Sequence, residues 1–186
     1  MTDEDRHDCG IGTALCLDVA LMAPITVEAR LRFADLLTKA AFIGLCDVNS
    51  DDIALEDDVI TTATTTITLT ASDLCGFYWN SEDSDGADWF MVYNGGTTTG
   101  ETDSTAIDAG DDAVAGEFQV LRLEVDNNGT ARWYIDGVLK QTKTGAVSTS
   151  TDLAAICVVE NKANTSTTED MDVDYFEVCA NRDWNA

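Results

Sequence analysis

Carboxylates are the chain's main chemical resource. Hydrolysis of a glycosidic bond needs two of them, one as general acid and one as nucleophile or base, on either side of the scissile bond. Near the C-terminus Asp172, Asp174 and Glu177 form the most suggestive set. On a regular strand Asp172 and Asp174 share a face while Glu177 points away, so only a bulge would bring all three together. The expectation is that Asp172 and Asp174 face solvent on an outer strand with Phe176 and Val178 turned inward, without catalysis. Glu124 and Asp126 make a weaker pair, because Asp126 belongs to a turn. No Ser/His/Asp set is credible with a single histidine, His7, in a peripheral position. The cysteines lack a base, and glycine loops that cradle phosphate are absent from the sequence.

Two acidic loops have the oxygen donors that calcium prefers. Asp47, Asn49 and Asp51 begin like a helix-loop-helix calcium loop, but Asp52 stands where that loop needs glycine. Asp83, Asp85 and Asp88 lie in the second, between two aromatic runs. In so acidic a chain a solvated loop is the simpler reading of both, so no cofactor is expected and calcium is the only candidate. Tyr78, Trp79, Trp89 and Tyr93, with Asn94, could supply aromatic faces and an amide to a sugar, although aromatic residues in strands usually serve a core.

These residues sit in short β-rich runs separated by turn clusters, the spacing of a sandwich or barrel. The runs span 15–20, 25–33, 40–46, 65–70, 76–79, 88–93, 118–125, 131–135, 138–141, 153–159 and 173–178. Ile25, Val27, Ala29, Leu31 and Phe33 alternate with Thr26, Glu28, Arg30 and Arg32, which outweighs the helix-forming residues just downstream. Asp126-Asn127-Asn128-Gly129 and Asp136-Gly137 are tight-turn sequences that predict three consecutive antiparallel strands over 118–141. The fold class expected is all-β, an antiparallel two-sheet sandwich. Residues 1–24 form a first strand or an assembly arm, and 25–186 the sandwich domain. Leu15, Leu17, Val19, Leu21 and Met22 are the arm's candidates for contact with neighbours.

The 186 residues carry 35 acidic and 10 basic side chains, a formal net charge of -25, which repels phosphate backbones and anionic lipid. Neither nucleic acid nor membrane is an expected partner. The acidic N-terminus does not look like a signal peptide, and the longest apolar stretch is too short to span a bilayer. Six scattered cysteines without a C-x-x-C pair argue against a zinc site. Most are expected to be buried thiols; Cys9 and Cys16, the pair nearest in sequence, could close.

Ile25-Thr26-Val27-Glu28-Ala29-Arg30-Leu31 followed by Ala41-Phe42-Ile43-Gly44-Leu45, Arg122-Leu123-Glu124-Val125 with Trp133-Tyr134-Ile135-Asp136-Gly137-Val138-Leu139, and Asp172-Val173-Asp174-Tyr175-Phe176-Glu177-Val178 together resemble the concanavalin A-like lectin/glucanase jelly rolls. The versions they resemble occur among structural proteins of tailed bacterial viruses. The resemblance covers most of 25–178, but turn chemistry and core alternation explain its words, so it implies a fold more than a task. The family's glucanases carry E-x-D-x-E or E-x-D-x-x-E on one strand, and here Asp172 replaces the first Glu. Its lectins use a calcium-ordered Asp/Asn pair and an aromatic platform in loops at one end of the sandwich. The expected function is that of a virion structural protein, a capsid decoration protein on the assembled shell. Its expected partners are the major capsid protein, other virion proteins and further copies of itself. A carbohydrate-binding adhesin that recognises host surface glycans is the alternative, and a glycoside hydrolase ranks third.

Overall fold

The computed structural model describes the backbone of residues 6–10 and residues 15–48, 53–84, 86–161 and 171–182. Its first strands are β1 (Arg6–Gly10), β2 (Leu17–Asp18), β3 (Ile25–Phe33), β4 (Lys39–Cys46), β5 (Ile60–Ala63), β6 (Thr66–Leu69) and β7 (Leu74–Asn80). Then come β8 (Asp88–Asn94), β9 (Asp108–Asp112), β10 (Gln119–Val125), β11 (Ala131–Ile135), β12 (Val138–Lys143), β13 (Asp152–Asn161) and β14 (Met171–Cys179). They build two antiparallel sheets: β1-β13-β4-β7-β8-β9, with β2 also on β13, faces β12-β11-β10-β3-β14, and β5 and β6 form a separate hairpin. The described fold is the expected sandwich.

Alternation builds the five-stranded sheet. Ile25, Val27, Ala29, Leu31 and Phe33 of β3 are buried, as are Leu121, Leu123 and Val125 of β10 and Ala131, Trp133 and Ile135 of β11. The polar residues between them line the outer face. Asp136 and Gly137 both take positive φ, 50° and 79°, as the tight turn between β11 and β12 requires.

The seven-stranded sheet is different, because β4 and β7 are buried along their whole length on both faces. Its inner face meets the five-stranded sheet: Phe33 stacks on Trp79 with centroids 4.7 Å apart, and the Trp133 indole donates to the Gly76 carbonyl at 2.8 Å. Its outer face is covered by a roof made of a π-helical turn α2 (Leu55–Val59) and the β5–β6 hairpin, which bury Leu55, Val59, Ile60 and Ile67. Gly44 and Gly76 face each other across β4 and β7, where a Cβ on Gly44 would lie 2.3 Å from the Cys75 carbonyl oxygen.

Residues 15–20 depart from the expected strand. Only Leu17–Asp18 pairs with β13; the Asp18 carboxylate then accepts the Leu21 N–H at 3.1 Å and starts a single helical turn α1 (Val19–Met22). This N-cap, followed by the helix formers Ala20, Leu21 and Met22, overrides the β pattern. Leu17 and Val19 are buried in the core and Leu15 and Met22 pack against it, while Leu21 is 45% exposed. The sandwich therefore uses most of the arm's apolar side chains itself, because β13 offers them a strand to pair with and a core to enter. Cys9 stands opposite Cys157 in the β1–β13 ladder, away from Cys16.

Candidate functional site

The outer face of the five-stranded sheet carries a ladder of paired polar groups. Register places Glu28 between Arg122 on β10 and Glu177 on β14. The Tyr175 hydroxyl donates to Glu28 Oε1 at 2.7 Å, and Arg122 lies 3.7 Å from Glu28 Oε2 and 2.5 Å from Glu124 Oε1. The Tyr134 hydroxyl donates to Glu124 Oε2 at 3.2 Å. Arg30 and Arg32 lie over the Phe118 ring, and they pair with Asp174, at 2.6 Å, and Asp172. The hydrogen bond to Glu28, then burial and the Glu28 charge, push the Tyr175 phenol up to about 12. Burial first, then the Glu124 carboxylate, raises Tyr134. A hollow of about 230 Å³ opens between Glu28, Val120, Arg122, Glu124 and Tyr134.

This face corrects the expected geometry of the carboxylate set. Val173 pairs with Leu31 but Tyr175 pairs with Arg30, so Asp174 is the extra residue of a β-bulge. The bulge shifts the alternation by one, and Asp172, Asp174 and Glu177 all reach the outer face. Their chemistry there is ion pairing: Asp172 and Asp174 each hold an arginine on an open edge strand, and Glu177 accepts from the Cys179 thiol at 3.3 Å.

The aromatic platform is also corrected. Tyr78, Trp79, Trp89 and Tyr93 are all buried, at most 2% exposed, because β7 and β8 are interior strands covered on both sides. Trp89 donates to Gln119 Oε1 at 3.2 Å, Tyr93 packs on Trp133 with centroids 6.2 Å apart, and Tyr78 accepts from the Asn80 amide at 2.7 Å. Asn94 alone of that set is partly exposed, and its amide donates to the Ala71 carbonyl at 3.1 Å. Of the proposed calcium ligands, Asp83 and Asp88 are buried and Asp85 lies outside the described residues, as do Asn49, Asp51 and Asp52 of the other loop. Asp83 joins the roof through a bridge to Thr64, and Asp88 faces Asp112 on β9. Among the described residues no three His, Cys, Asp or Glu side chains gather to hold a metal ion.

Asp73 is a site residue that its own sequence context does not mark. It stands just before β7, and the pairing of Leu74 with Asn94 brings it against Gly95, just after β8. Gly95 has φ +90°, and a Cβ there would fall 2.0 Å from Asp73 Oδ1, so only glycine fits. Asp73 is 9% exposed, and its Oδ1 is buried without a hydrogen-bond donor. Burial raises its carboxyl above the usual range; the Asp47 carboxylate adds to this, and hydrogen bonds from Thr151 and Ser148 oppose it. Beside it a hollow of about 200 Å³ is lined by Gly95, Gly96, Thr97, Asn128, Ser148 and Ser150. Ser72-Asp73 and Asn94-Gly95 are ordinary turn words, and only the β7–β8 pairing makes them neighbours.

No protein-family model matches the chain, and no curated protein matches it in sequence. Solved structures do match. The carbohydrate recognition domain of Emp46p superposes with a TM-score of 0.55 at 13% identity, covering 83% of this chain and 70% of that one. A structure described with endo-acting O-glycanases that members of the human gut microbiota express to initiate mucin breakdown gives 0.55 at 8% identity, covering 96% and 74%. The alginate lyase PA1167 from Pseudomonas aeruginosa gives 0.52 at 12%, covering 86% and 65%. The fold is a concanavalin A-like jelly roll. Such jelly rolls include lectins and glycoside hydrolases, so the fold does not decide between binding and catalysis.

In this jelly roll the roof closes the outer face of the seven-stranded sheet over polar groups as well as apolar ones. Glu160, 1% exposed, accepts the Leu55 N–H at 2.5 Å through Oε2. The roof is tied at its far end by the Ser84 N–H to the Thr64 carbonyl at 2.8 Å and the Ile67 N–H to the Thr102 carbonyl at 2.8 Å. At one end of the sandwich, between the roofed face and the ion-paired face, the buried Asp73 carboxylate packs behind Gly95, which with Ser148 lines the adjoining hollow.

Proposed function

We propose that this jelly roll is a non-catalytic binding module that holds a saccharide at the Asp73 end of the sandwich and is carried on the surface of a virus particle. The buried Asp73 Oδ1 without a donor is the observation that carries the reading. A buried acceptor with no donor costs about 1–3 kcal/mol, which a sugar hydroxyl would recover. The adjoining hollow offers the hydroxyl-bearing and amide side chains of Thr97, Asn128, Ser148 and Ser150, which suit a polyhydroxylated ligand. The neighbours named for carbohydrate recognition and glycan breakdown support the same class of ligand. Against catalysis stand the ion-paired Asp172 and Asp174 and the roof over the other sheet.

A glycan array run with wild type and Asp73→Asn, each with and without chelator, tests this. Asn keeps the shape of the carboxyl group, so loss of binding in a folded Asp73→Asn variant is the expected result. Equal binding by the variant, or no bound glycan with wild type, overturns it. Loss on chelation would assign an ion to the site.

Decoration of the assembled shell is the second reading, favoured by Val138 and Leu139, 57% and 49% exposed on the edge strand β12. Binding only the assembled shell would stabilise it by mass action. Quantitative mass spectrometry of purified particles should then count copies comparable with the major shell protein; a handful would place the chain in a tail or fibre, and none would end this reading.

A further inference from the structure

Cys9 and Cys157 occupy one register position of the β1–β13 ladder, Cys9 opposite Cys157 between the pairs Asp8–Val158 and Gly10–Ile156. Residues directly opposite in an antiparallel ladder share a face, with Cα atoms about 4.5–5.5 Å apart, inside the roughly 4.4–6.8 Å that a disulfide spans. The alternative from sequence, Cys16, donates its N–H to the Leu153 carbonyl on the same edge of β13, beside the Leu17–Leu153 pair. At about 3.3 Å per residue, that is roughly 10 Å along β13 from the Cys157 position, beyond the reach of a disulfide from Cys9. The topology thus separates the two cysteines nearest in sequence and opposes two that are 148 positions apart.

We propose that Cys9 and Cys157 form a cross-strand disulfide under oxidising conditions, tying the terminal strand β1 to the sandwich. With a disulfide such as oxidised glutathione as the oxidant, the Cys9 thiolate attacks one of its sulfurs and expels one glutathione thiolate. The Cys157 thiolate then attacks the Cys9 sulfur of the mixed disulfide and expels the second. Two protein thiols lose two protons and two electrons, and the glutathione disulfide is reduced to two thiols. Cys157 is 1% exposed and β1 lies on the free side of β13, so the second step follows exchange at Cys9 as β1 docks, with no need for the oxidant to reach the core. The bond would close most of the chain into a loop, and a long loop is the case in which a cross-link restricts the unfolded state most.

Refolding the full chain in a glutathione redox buffer, alkylating remaining thiols and mapping peptides without reduction tests the proposal. A Cys9–Cys157 peptide is the expected product, absent in Cys9→Ser, together with slower hydrogen exchange of the β1 amides in the oxidised wild type. Cys9 linked to Cys16, or Cys9 recovered alkylated while β1 amides exchange as in the reduced protein, would overturn it. Cys9→Ser alters only the terminal strand and Cys16→Ser removes the competing thiol, so the result does not depend on a core variant that might fail to fold.

Discussion

Tyr175 on β14 donates its hydroxyl hydrogen to Glu28 on β3 at 2.7 Å, one step past the bulge that carries Asp174 to Arg30. The bond favours the protonated phenol and pushes it up to about 12 from the ordinary 10.0. A folded state that holds this proton more tightly than the unfolded chain keeps that contribution below pH 10 and loses it as pH rises toward 12. Wild type should therefore lose stability faster across that interval than Tyr175→Phe, measured by chemical denaturation at fixed pH steps. Parallel slopes would mean that Glu28 does not hold the phenol.

Trp133 joins the two sheets, and its replacement by Phe should leave the Gly76 carbonyl without its indole donor and open a small void. A loss of about 2–3 kcal/mol is expected, read as a shift in the urea midpoint with an unchanged slope.

Two glycines should respond to the same substitution with losses of very different size. Gly44→Ala places a methyl 2.3 Å from the Cys75 carbonyl oxygen and 2.6 Å from the Gly76 Cα between two interior strands, and should abolish soluble expression. Gly137→Ala meets nothing within 4 Å and pays only for its φ of +79°, on the order of 1 kcal/mol, so a soluble protein with a slightly lower Tm is expected.

Asp126 is held below its usual range by the hydrogen bond from Arg132, at 2.6 Å. A lowered carboxyl contributes above its unfolded value of about 3.9 and loses that contribution as pH falls through the folded one. Because the pair is partly exposed, Asp126→Asn should cost under about 1 kcal/mol at neutral pH and flatten the acid limb of the stability profile.

Local chemistry made much of this fold legible. The Asp136-Gly137 turn and the alternation in β3, β10 and β11 are decided by neighbours in sequence, and the structure has them where the residues indicate. Features decided by distant partners were not legible. β9, Asp-Ala-Gly-Asp-Asp, has little strand propensity and forms only because β8 offers it an edge. The threonine-rich stretch before β7 shows one strand over 65–70, but in the structure β5 precedes it and the two fold as a hairpin that roofs the sheet and buries Tyr78. The bulge at Asp174 inverts the side on which Glu177 emerges. Asp73 gains interest only through Gly95, Ser148 and Thr151, none of them near it in sequence.

The central claim, that the chain binds a glycan without cutting it, is tested most directly by product analysis. Purified protein is incubated with any glycan retained on the array and with β-glucan, alginate and mucin, and released oligosaccharides are measured. Retention of a glycan with no released product from any of them is the expected result. Oligosaccharides released by wild type and lost in Asp174→Asn or Glu28→Gln would contradict it.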